Sequence, residues 1–383
     1  MTRPPKSGYL PTLDGWRAIA IFGVLVDHLV SYSELRHHPQ IVAFTRTGPN
    51  GVSLFFAISG FLICSRLLEE QNACGKISLR GFYIRRACRI LPPAILYLVV
   101  IGILALLGSI IVVPAEWWSS VFFFRNYLPK GWIRYGWGGY TVHYWSLAVE
   151  EHFYLLWPAV LVLLGKLRAR WFALALAVAV AGWRMLDFRE HWFDRVIPGL
   201  LFGSRTDVRL DALLLGCLAA LLLDDASVRA LFVGRFRPWM WILCVAGYVL
   251  MQVLHRVRTY SIWESGLLTL VVVGTVYHPE GWIGRLLESA VLRWVGRLSY
   301  GIYLWQQFFC IPTAGSRLVF LQRFPVNLIM IFLVSWLSYQ IVERPFIRLG
   351  HRLAPPSSEG REDLASDAKQ GISPTSPPEV EHS

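Results

Sequence analysis

Charged residues are scarce in this chain of 383 amino acids, where Asp, Glu, Lys and Arg together make up 16%. Soluble domains average about 25%, whereas 55% of this chain is hydrophobic. The chain is also rich in Trp (17 residues) and Tyr (15 residues), which favour membrane–water interfaces. This composition excludes an ordinary soluble domain and indicates a protein that lies in a bilayer.

Acidic residues are the scarcer of the two charged classes, which leaves a formal net charge of +12. A basic chain can bind nucleic acid, but here the Lys and Arg residues stand in short clusters between apolar runs. No nucleic-acid-binding motif accompanies them, so we expect no nucleic-acid partner. Basic loops at the surface of a lipid membrane explain the charge.

Paired cysteines are also missing, because none of the six Cys residues forms a CxxC pair or a zinc-ligand spacing. We therefore expect free thiols and no metal. At the N-terminus, a basic patch precedes an apolar run without a small-residue cleavage site. We expect that first run to remain in the protein as a membrane anchor.

The apolar runs predict an all-α fold, a polytopic membrane helix bundle of about ten transmembrane helices. A helix needs about 20 mostly apolar residues to cross a membrane. The excess of Lys and Arg in alternate loops predicts that both termini are cytoplasmic. The expected spans are 15–33, 52–68, 91–113, 144–164, 171–187, 207–224, 238–254, 263–278, 297–313 and 326–343.

Two regions follow from this pattern. Residues 1–352 are expected to form one integral-membrane domain, and residues 353–383 a disordered cytoplasmic tail that is rich in Pro, Ser and Glu. No internal repeat and no appended soluble domain is visible in the sequence. Any chemistry must therefore be done by the helices and their connecting loops.

The first apolar run, DGWRAIAIFGVLVDHLV, carries Arg17 and His28. Polar groups inside lipid are costly, which makes them functional candidates. The two residues are separated by about 16 Å of helix, which predicts Arg17 at the cytoplasmic boundary and His28 near the membrane centre. Alternatively, Arg17 reaches out to lipid headgroups and His28 is a packing residue. Asp27 points to another face and is not expected to orient His28.

A second polar cluster, RGFYIRRACRILPP, contains Arg85, Arg86 and Arg89 at a predicted cytoplasmic membrane edge. Guanidinium groups are suited to binding phosphate. The alternative is an ordinary basic anchor that only fixes the orientation of the chain.

A third cluster, WSLAVEEHFYLLWP, places Glu150 about 9 Å inside the outer surface. The alternative there is a carboxylate that is stabilised by the helix N-terminus. Three further segments contain polar or small residues for which we expect packing and helix-to-helix hydrogen bonds: Ser53, Ser59 and Gly60; Arg209 and Asp211; and Gln306 and Gln307.

Taken together, these segments resemble the bacterial membrane acyltransferase 3 family, whose members O-acylate sugars and glycans. The resemblance rests on seven stretches that occur in family order and cover nearly the whole helical region: LDGWRAIAIFGVLVDH, GVSLFFAISGFLI, RRACRILP, HYWSLAVEEHFYLLWP, RLDALLLG, LSYGIYLWQQ and VERP. The chain departs from the family pattern at Ser53, where an acid is frequent, and at His152, where a glutamine is common.

The resemblance implies a ten-helix bundle that moves an acyl group from cytoplasmic acyl-CoA to an acceptor on the outer face. Arg17 and His28 match the first-helix motif, and Glu150 matches the acid of the fourth-span motif. The remaining matches to the basic motif are Arg86 and Arg89, with Arg85 alongside. No metal is implied. The expected location is the inner (cell) membrane of a bacterium.

This resemblance agrees with the physics of the first run. The phosphates of acyl-CoA cannot enter lipid, so we expect them to stop at a rim formed by Arg17, Arg85, Arg86 and Arg89. The thioester would then reach His28, which titrates near neutrality and acts as general base on a sugar or glycan hydroxyl. Glu150 would orient His28 or bind the sugar.

Direct transfer of an acetyl group is favoured over a covalent intermediate on His28 or Ser59. Two other function classes stay open. A transporter or flippase of a lipid-linked glycan would favour inverted repeats and broken helices, which the sequence does not show. A non-catalytic acyl-CoA sensor would bind the donor without turnover.

Overall fold

The computed structural model describes residues 9–38, 40–42, 48–133, 139–236, 238–254, 262–311 and 317–355. Throughout these ranges the regular elements are helices, joined by turns and short 3₁₀ segments. Most of the predicted tail, 353–383, lies outside the described residues. The helices are α1 (Pro11–Ser31), α2 (Gly48–Cys74), α3 (Leu79–Leu106), α4 (Pro114–Val121), α5 (Tyr144–Glu190), α6 (Trp192–Val196), α7 (Leu210–Asp224), α8 (Ala226–Arg235), α9 (Pro238–Leu254), α10 (Ile262–Tyr277), α11 (Trp282–Leu287), α12 (Ala290–Cys310), α13 (Val326–Ser338) and α14 (Arg344–Leu353).

The predicted all-α membrane character is confirmed. Within the described part of the chain, four helical stretches are long and apolar enough to cross a membrane: α2, α3, α5, and the run from Val326 to Leu353, in which a π-helical segment joins α13 to α14. Two shorter apolar helices, Trp239–Leu250 and Ile262–Tyr277, accompany them. Each predicted span overlaps a helix or one arm of α5, but length and composition do not confirm ten crossings.

Helix α1 begins earlier than the predicted span. Pro11 occupies its first turn, where the missing N–H of proline costs nothing, and Asp14 complements the positive helix N-terminus. Arg17 consequently lies about 9 Å into the helix and His28 about 4.5 Å before its last residue. His28 is therefore nearer to the second end of α1 than the predicted span suggested.

Helix α5 is broken at Gly165, whose φ of 69° and ψ of 167° are open essentially only to glycine. The two arms fold back on each other, because residues of both reach the same loop. His152 on the first arm has Nδ1 2.8 Å from Thr206 Oγ1, and Trp183 on the second donates to Asp207 at 2.7 Å. This break separates the predicted spans 144–164 and 171–187.

Small residues allow close contacts between the central helices. A Cβ atom on Gly60 of α2 would come within 2.0 Å of the Leu213 carbonyl oxygen on α7. One on Gly296 of α12 would come within 1.9 Å of the Asp14 carbonyl oxygen on α1. Glycine at these positions brings α1 and α2 close to their neighbours, and the predicted packing role of Gly60 agrees with this.

Buried ion pairs tie the second arm of α5 to α7 and the preceding loop. Arg184 binds Asp211 at 3.0 Å, with both side chains 3% exposed. Arg205 binds Asp187 at 2.6 Å. Arg209 donates to Ser53 Oγ on α2 at 3.1 Å. Arg209 and Asp211 thus link helices, as the sequence predicted for this segment.

Candidate active site

A cavity of about 780 Å³, counted with its open mouth, runs between α1, α2, α3, α5 and α12. Its longest wall is one face of α2, since the residues contributed by this helix follow helical spacing. From Val52 to Ile63 this wall extends about 16 Å, roughly half of a hydrocarbon core about 30 Å thick. The α2 residues are Val52, Phe55, Phe56, Ser59, Leu62 and Ile63.

One end of the cavity is basic, because Arg17, Arg86 and Arg89 all line it. Arg17 is 18% exposed and bound to Asp14 at 3.0 Å. The guanidinium of Arg86 stacks 3.8 Å above the Tyr154 ring, and its Nε is buried without a hydrogen-bond partner among the described residues. Arg89 is exposed although it lies within the bundle. We therefore take the side of the cavity at Arg89 as its open mouth.

Arg85 does not belong to the cavity lining. It binds Glu70 at 3.0 Å and donates to the carbonyl oxygen of Ala354, also at 3.0 Å. Successive residues on a helix point about 100° apart, so Arg85 faces the chain segment after α14 while Arg86 faces the cavity. The structure thus brings three of the four predicted rim arginines together.

Glu150 lies in the cavity wall opposite α2, where its Oε1 accepts a hydrogen bond of 2.8 Å from Ser59 Oγ. Arg86 lies within electrostatic range of this carboxylate. Two residues that the sequence singled out separately, Ser59 and Glu150, therefore form a hydroxyl–carboxylate pair inside the cavity. Such a pair resembles a nucleophile and its base.

His28 does not line this cavity. Its side chain is half-buried, and its Nδ1 makes no hydrogen bond with the described residues. Gln306 lies beside it, and the ring of Tyr32 is 6.3 Å away. Among the described residues no carboxylate is bonded to the imidazole, and Glu150 is engaged with Ser59, so Glu150 does not orient His28 in this structure.

The sequence analysis missed His143 and Tyr303. The ring of His143 lies 5.1 Å from that of Tyr97 and 5.5 Å from that of Tyr303. The Tyr303 hydroxyl donates to the carbonyl oxygen of His143 at 2.9 Å and contacts Ser146 Oγ. Tyr303 and Ser146 both line the cavity, so His143 lies directly behind this part of the lining. The position of His143, three residues before Ser146 of the WSLAVEEHFYLLWP segment, could have indicated that it lies near the site.

Neither departure from the family pattern joins the cavity. The hydroxyl of Ser53 accepts from Arg209 and donates to the Pro49 carbonyl oxygen at 3.1 Å. His152 pairs with Thr206. Within the described ranges, no three His, Cys, Asp or Glu side chains are grouped as a metal ion would require.

In the loop between α3 and α5, a buried pair joins Arg125 to Glu116 at 3.6 Å. Burial raises the pKa of the Glu116 carboxyl, against the opposing effects of Arg125 and the Val113 backbone N–H. Burial likewise lowers the pKa of Arg125, while Glu116 acts against that shift. This pair and the hydrogen bond from Arg125 Nε to Thr141 Oγ1 at 3.3 Å fold the loop over the end of the bundle near His143.

Comparison with known proteins gives this geometry a context. An O-acetyltransferase called OatA from Staphylococcus aureus (strain NCTC 8325) is 26% identical over 367 residues, which cover 90% of this chain and 58% of that protein. A protein of Staphylococcus aureus (strain COL) named "Putative O-acetyltransferase" is 31% identical over 379 residues, covering 91% of this chain and 59% of the relative. No solved structure matches.

The chain spans about three fifths of the length of these curated relatives. The family model described as the acyltransferase domain, acyltransferase family 3, matches residues 10–341. That range includes the rim arginines, the Ser59–Glu150 pair, His28, His143 and Tyr303. The chain belongs to the acyltransferase 3 family.

Proposed function

We propose that this protein is a membrane O-acyltransferase that moves an acyl group, most simply acetyl, from acyl-CoA to a hydroxyl of a sugar or glycan. One observation carries the proposal. In a chain of the acyltransferase family, an elongated cavity within the bundle joins three arginines at its mouth to a Ser–Glu pair and a Tyr–Ser pair further in. The relatives named O-acetyltransferases support acetyl as the group and oxygen as its acceptor.

The donor would enter at the basic mouth. Arg17, Arg86 and Arg89 line a space that a polyanionic nucleotide can approach from water, because Arg89 is exposed there. The apolar wall of α2, with Phe55, Phe56 and Leu62, suits the narrow arm that carries the thioester. Arg85, occupied by Glu70 and the Ala354 carbonyl, would support the mouth from behind rather than bind phosphate.

In the transfer step, the acceptor oxygen attacks the thioester carbonyl carbon while His28 takes the hydroxyl proton. The C–S bond then breaks, and the thiolate leaves and receives a proton from the imidazolium. Glu150, whose carboxylate already accepts from Ser59, would bind the acceptor. Tyr303 lines the cavity and its ring lies 5.5 Å from that of His143, which in turn interacts with His28, so we expect the thioester to stop beside Tyr303 for the reaction.

The hydrogen bond from Ser59 to Glu150 supports one covalent alternative, in which Glu150 activates Ser59 and the acyl group rests on its hydroxyl before moving to the acceptor. Direct transfer needs no such intermediate. The two routes differ in the fate of a Ser59→Ala variant, which keeps activity only if transfer is direct.

The proposal includes the setting of the enzyme. We infer about ten membrane crossings in a bacterial inner membrane, with both termini cytoplasmic. Residues 1–352 would form the catalytic membrane domain, surrounded by lipid, and 353–383 a disordered tail. The acceptor, free or lipid-linked, would then approach from the outer face, where the loop between α3 and α5 folds over the bundle.

The deciding experiment uses the full-length protein in nanodiscs with labelled acetyl-CoA and extracted glycan acceptors. Wild-type protein should release free CoA and form an alkali-labile ester. His28→Ala should lower the rate by about 10²–10⁴-fold with unchanged protein abundance, and Ser59→Ala should retain activity. Full activity of His28→Ala would refute its role as base, and a label trapped on Ser59 would establish the covalent route.

The competing functions make different predictions in the same assay. A transporter or flippase of a lipid-linked glycan would move its cargo without consuming thioester, and no comparison supports it. An acyl-CoA sensor would bind the donor without releasing CoA. Either outcome would overturn the proposed reaction.

A further inference from the structure

Three buried polar side chains and the half-buried His28, which lie behind the Tyr303 part of the cavity lining, leave hydrogen-bonding atoms unused. Among the described residues, no partner is found for Nδ1 of His28, for either ring nitrogen of His143, for either amide atom of Gln306, or for Oε1 of Gln307. Buried polar groups in folded proteins almost always have a partner. A concentration of unused donors and acceptors in one place therefore indicates a site for a polar ligand.

Three helices bring these groups together. Gln306 of α12 lies beside His28 of α1, and His28 and the N-cap residue of α5, His143, are near enough to interact electrostatically. Tyr303, one turn before Gln306 on α12, packs its ring 5.5 Å from that of His143. Because Tyr303 also lines the cavity, the cluster adjoins the space through which the donor would arrive.

The two adjacent glutamines of α12 differ in a way that singles out Gln306. Both are 0% exposed. Gln307 donates its Nε2 to the Gly139 carbonyl oxygen at 3.1 Å and so makes the kind of inter-segment hydrogen bond that the sequence predicted. Gln306 makes none. An unpaired buried amide destabilises a fold, a cost that an apolar residue at this position would avoid.

We infer that this cluster is the acyl-transfer site and that Gln306 is its oxyanion donor, an inference that rests on the proposed function. As the acceptor hydroxyl oxygen bonds to the thioester carbonyl carbon, His28 takes the proton and the carbonyl oxygen gains the electron pair. The Nε2–H of Gln306 donates to that oxyanion. When the C–S bond breaks, the thiolate leaves with a proton from His28, and Gln306 returns to its unpaired state. His143 supplies the neighbouring polar surface that receives the acceptor.

The test is a Gln306→Met variant, which keeps the length of the side chain and removes its unpaired amide. We expect kcat for acetyl transfer to fall about 10²–10³-fold, KM for acetyl-CoA to change little, and the thermal midpoint to stay equal or rise, because an unsatisfied polar group has gone. The matched control is Gln322→Met. Gln322 is buried and donates to the Phe308 carbonyl oxygen at 2.9 Å, so its loss should lower the midpoint and leave kcat nearly unchanged.

A second variant, Gln306→Leu, also removes the Nε2–H donor and introduces no group that could replace it, so its kcat should fall as well. The inference is overturned if either Gln306 variant keeps kcat within about threefold of wild type, or if kcat and the thermal midpoint of Gln306→Met fall together. It is also overturned if neither variant accumulates in the membrane, since the amide would then be structural. Wild-type protein that transfers no acyl group would instead overturn the proposed function itself.

Discussion

At the scale of single residues, the arginines of the bundle differ in the protein groups that their guanidinium groups already bind. Arg184 and Arg205 are held by buried carboxylates, and Arg85 is held by Glu70 and a backbone carbonyl. Arg86, by contrast, stacks on Tyr154 and keeps its Nε unpaired in the described part of the chain. Because Arg86 forms no ion pair with the described residues, its guanidinium can bind a ligand phosphate at the open cavity without first losing a carboxylate partner.

This difference predicts how removal of each charge affects the donor. Arg86→Gln and Arg89→Gln should each raise KM for acetyl-CoA by about tenfold, equivalent to about 1.4 kcal/mol of lost phosphate contact, with a smaller effect on kcat. Arg85→Gln is the matched control, one residue away and outside the cavity lining. Steady-state kinetics with varied acetyl-CoA measures the three variants. An increase confined to KM for the acceptor, or one that is equally large in Arg85→Gln, would contradict the assignment.

Which polar residues meet in the site was predictable only in part. The motif residues Arg17, Arg86, Arg89 and Glu150 do line one cavity. Polar side chains of membrane helices avoid lipid and face the interior of the bundle, where those of neighbouring helices meet. The roles of His143 and Gln306 were not predictable. Whether a buried amide finds a partner depends on the relative rotation of helices that are far apart in sequence, as the contrast between Gln306 and Gln307 shows.

At the scale of elements, apolar run length located the helices because a backbone in lipid must satisfy its own hydrogen bonds. Their ends were less predictable, since they depend on local features that periodicity does not report. Pro11 extends α1 at its start, and Gly165 lets α5 reverse without a separate loop. Helix α1 ends at Ser31, two residues before the end of the predicted span, and this earlier end is what places His28 near the end of the helix.

The contact between the second arm of α5 and α7 rests on the buried Arg184–Asp211 pair. Arg184→Met should destabilise the protein by about 3–5 kcal/mol, because Asp211 would remain as an uncompensated buried charge. The thermal midpoint in nanodiscs measures the effect. Arg66→Gln serves as the control, since Arg66 and Glu69 form a pair whose side chains are 45% and 53% exposed and whose loss should cost about 0–1 kcal/mol. Equal shifts in the two variants would show that burial does not decide the strength of the pair.

At the scale of the whole molecule, the proposed reaction requires a fixed orientation, with the arginine mouth toward the cytoplasm and the far side of the bundle toward the acceptor. The end of α2 at Cys74 and the start of α3 lie on the side of that mouth, whereas Leu107, the residue that follows the end of α3, lies opposite. The orientation of the protein in the membrane can therefore be measured at two positions, the end of α2 and the end of α3.

A cysteine-free variant that regains only Cys74 should react with a membrane-impermeant maleimide in inverted vesicles and not in intact cells. A second variant that carries Leu107→Cys, at a position 72% exposed, should show the reverse pattern. Labelling is read by mass shift. Reaction of Cys74 from outside intact cells would reverse the inferred topology and with it the side on which the donor is bound.

The cavity that follows α2 for about 16 Å is lined by guanidinium groups and by the phenol ring of Tyr303, and that ring lies 6.4 Å from the ring of Phe55, near the start of the α2 wall. A donor anchored by its phosphates would carry its thioester a set distance inward. The length of the cavity would therefore limit the length of the acyl group. Each added carbon would have to displace the Tyr303 ring or move the phosphates away from the arginines. Selectivity for short acyl chains would then follow from the distance between the arginines and Tyr303. It would need no pocket shaped for a methyl group.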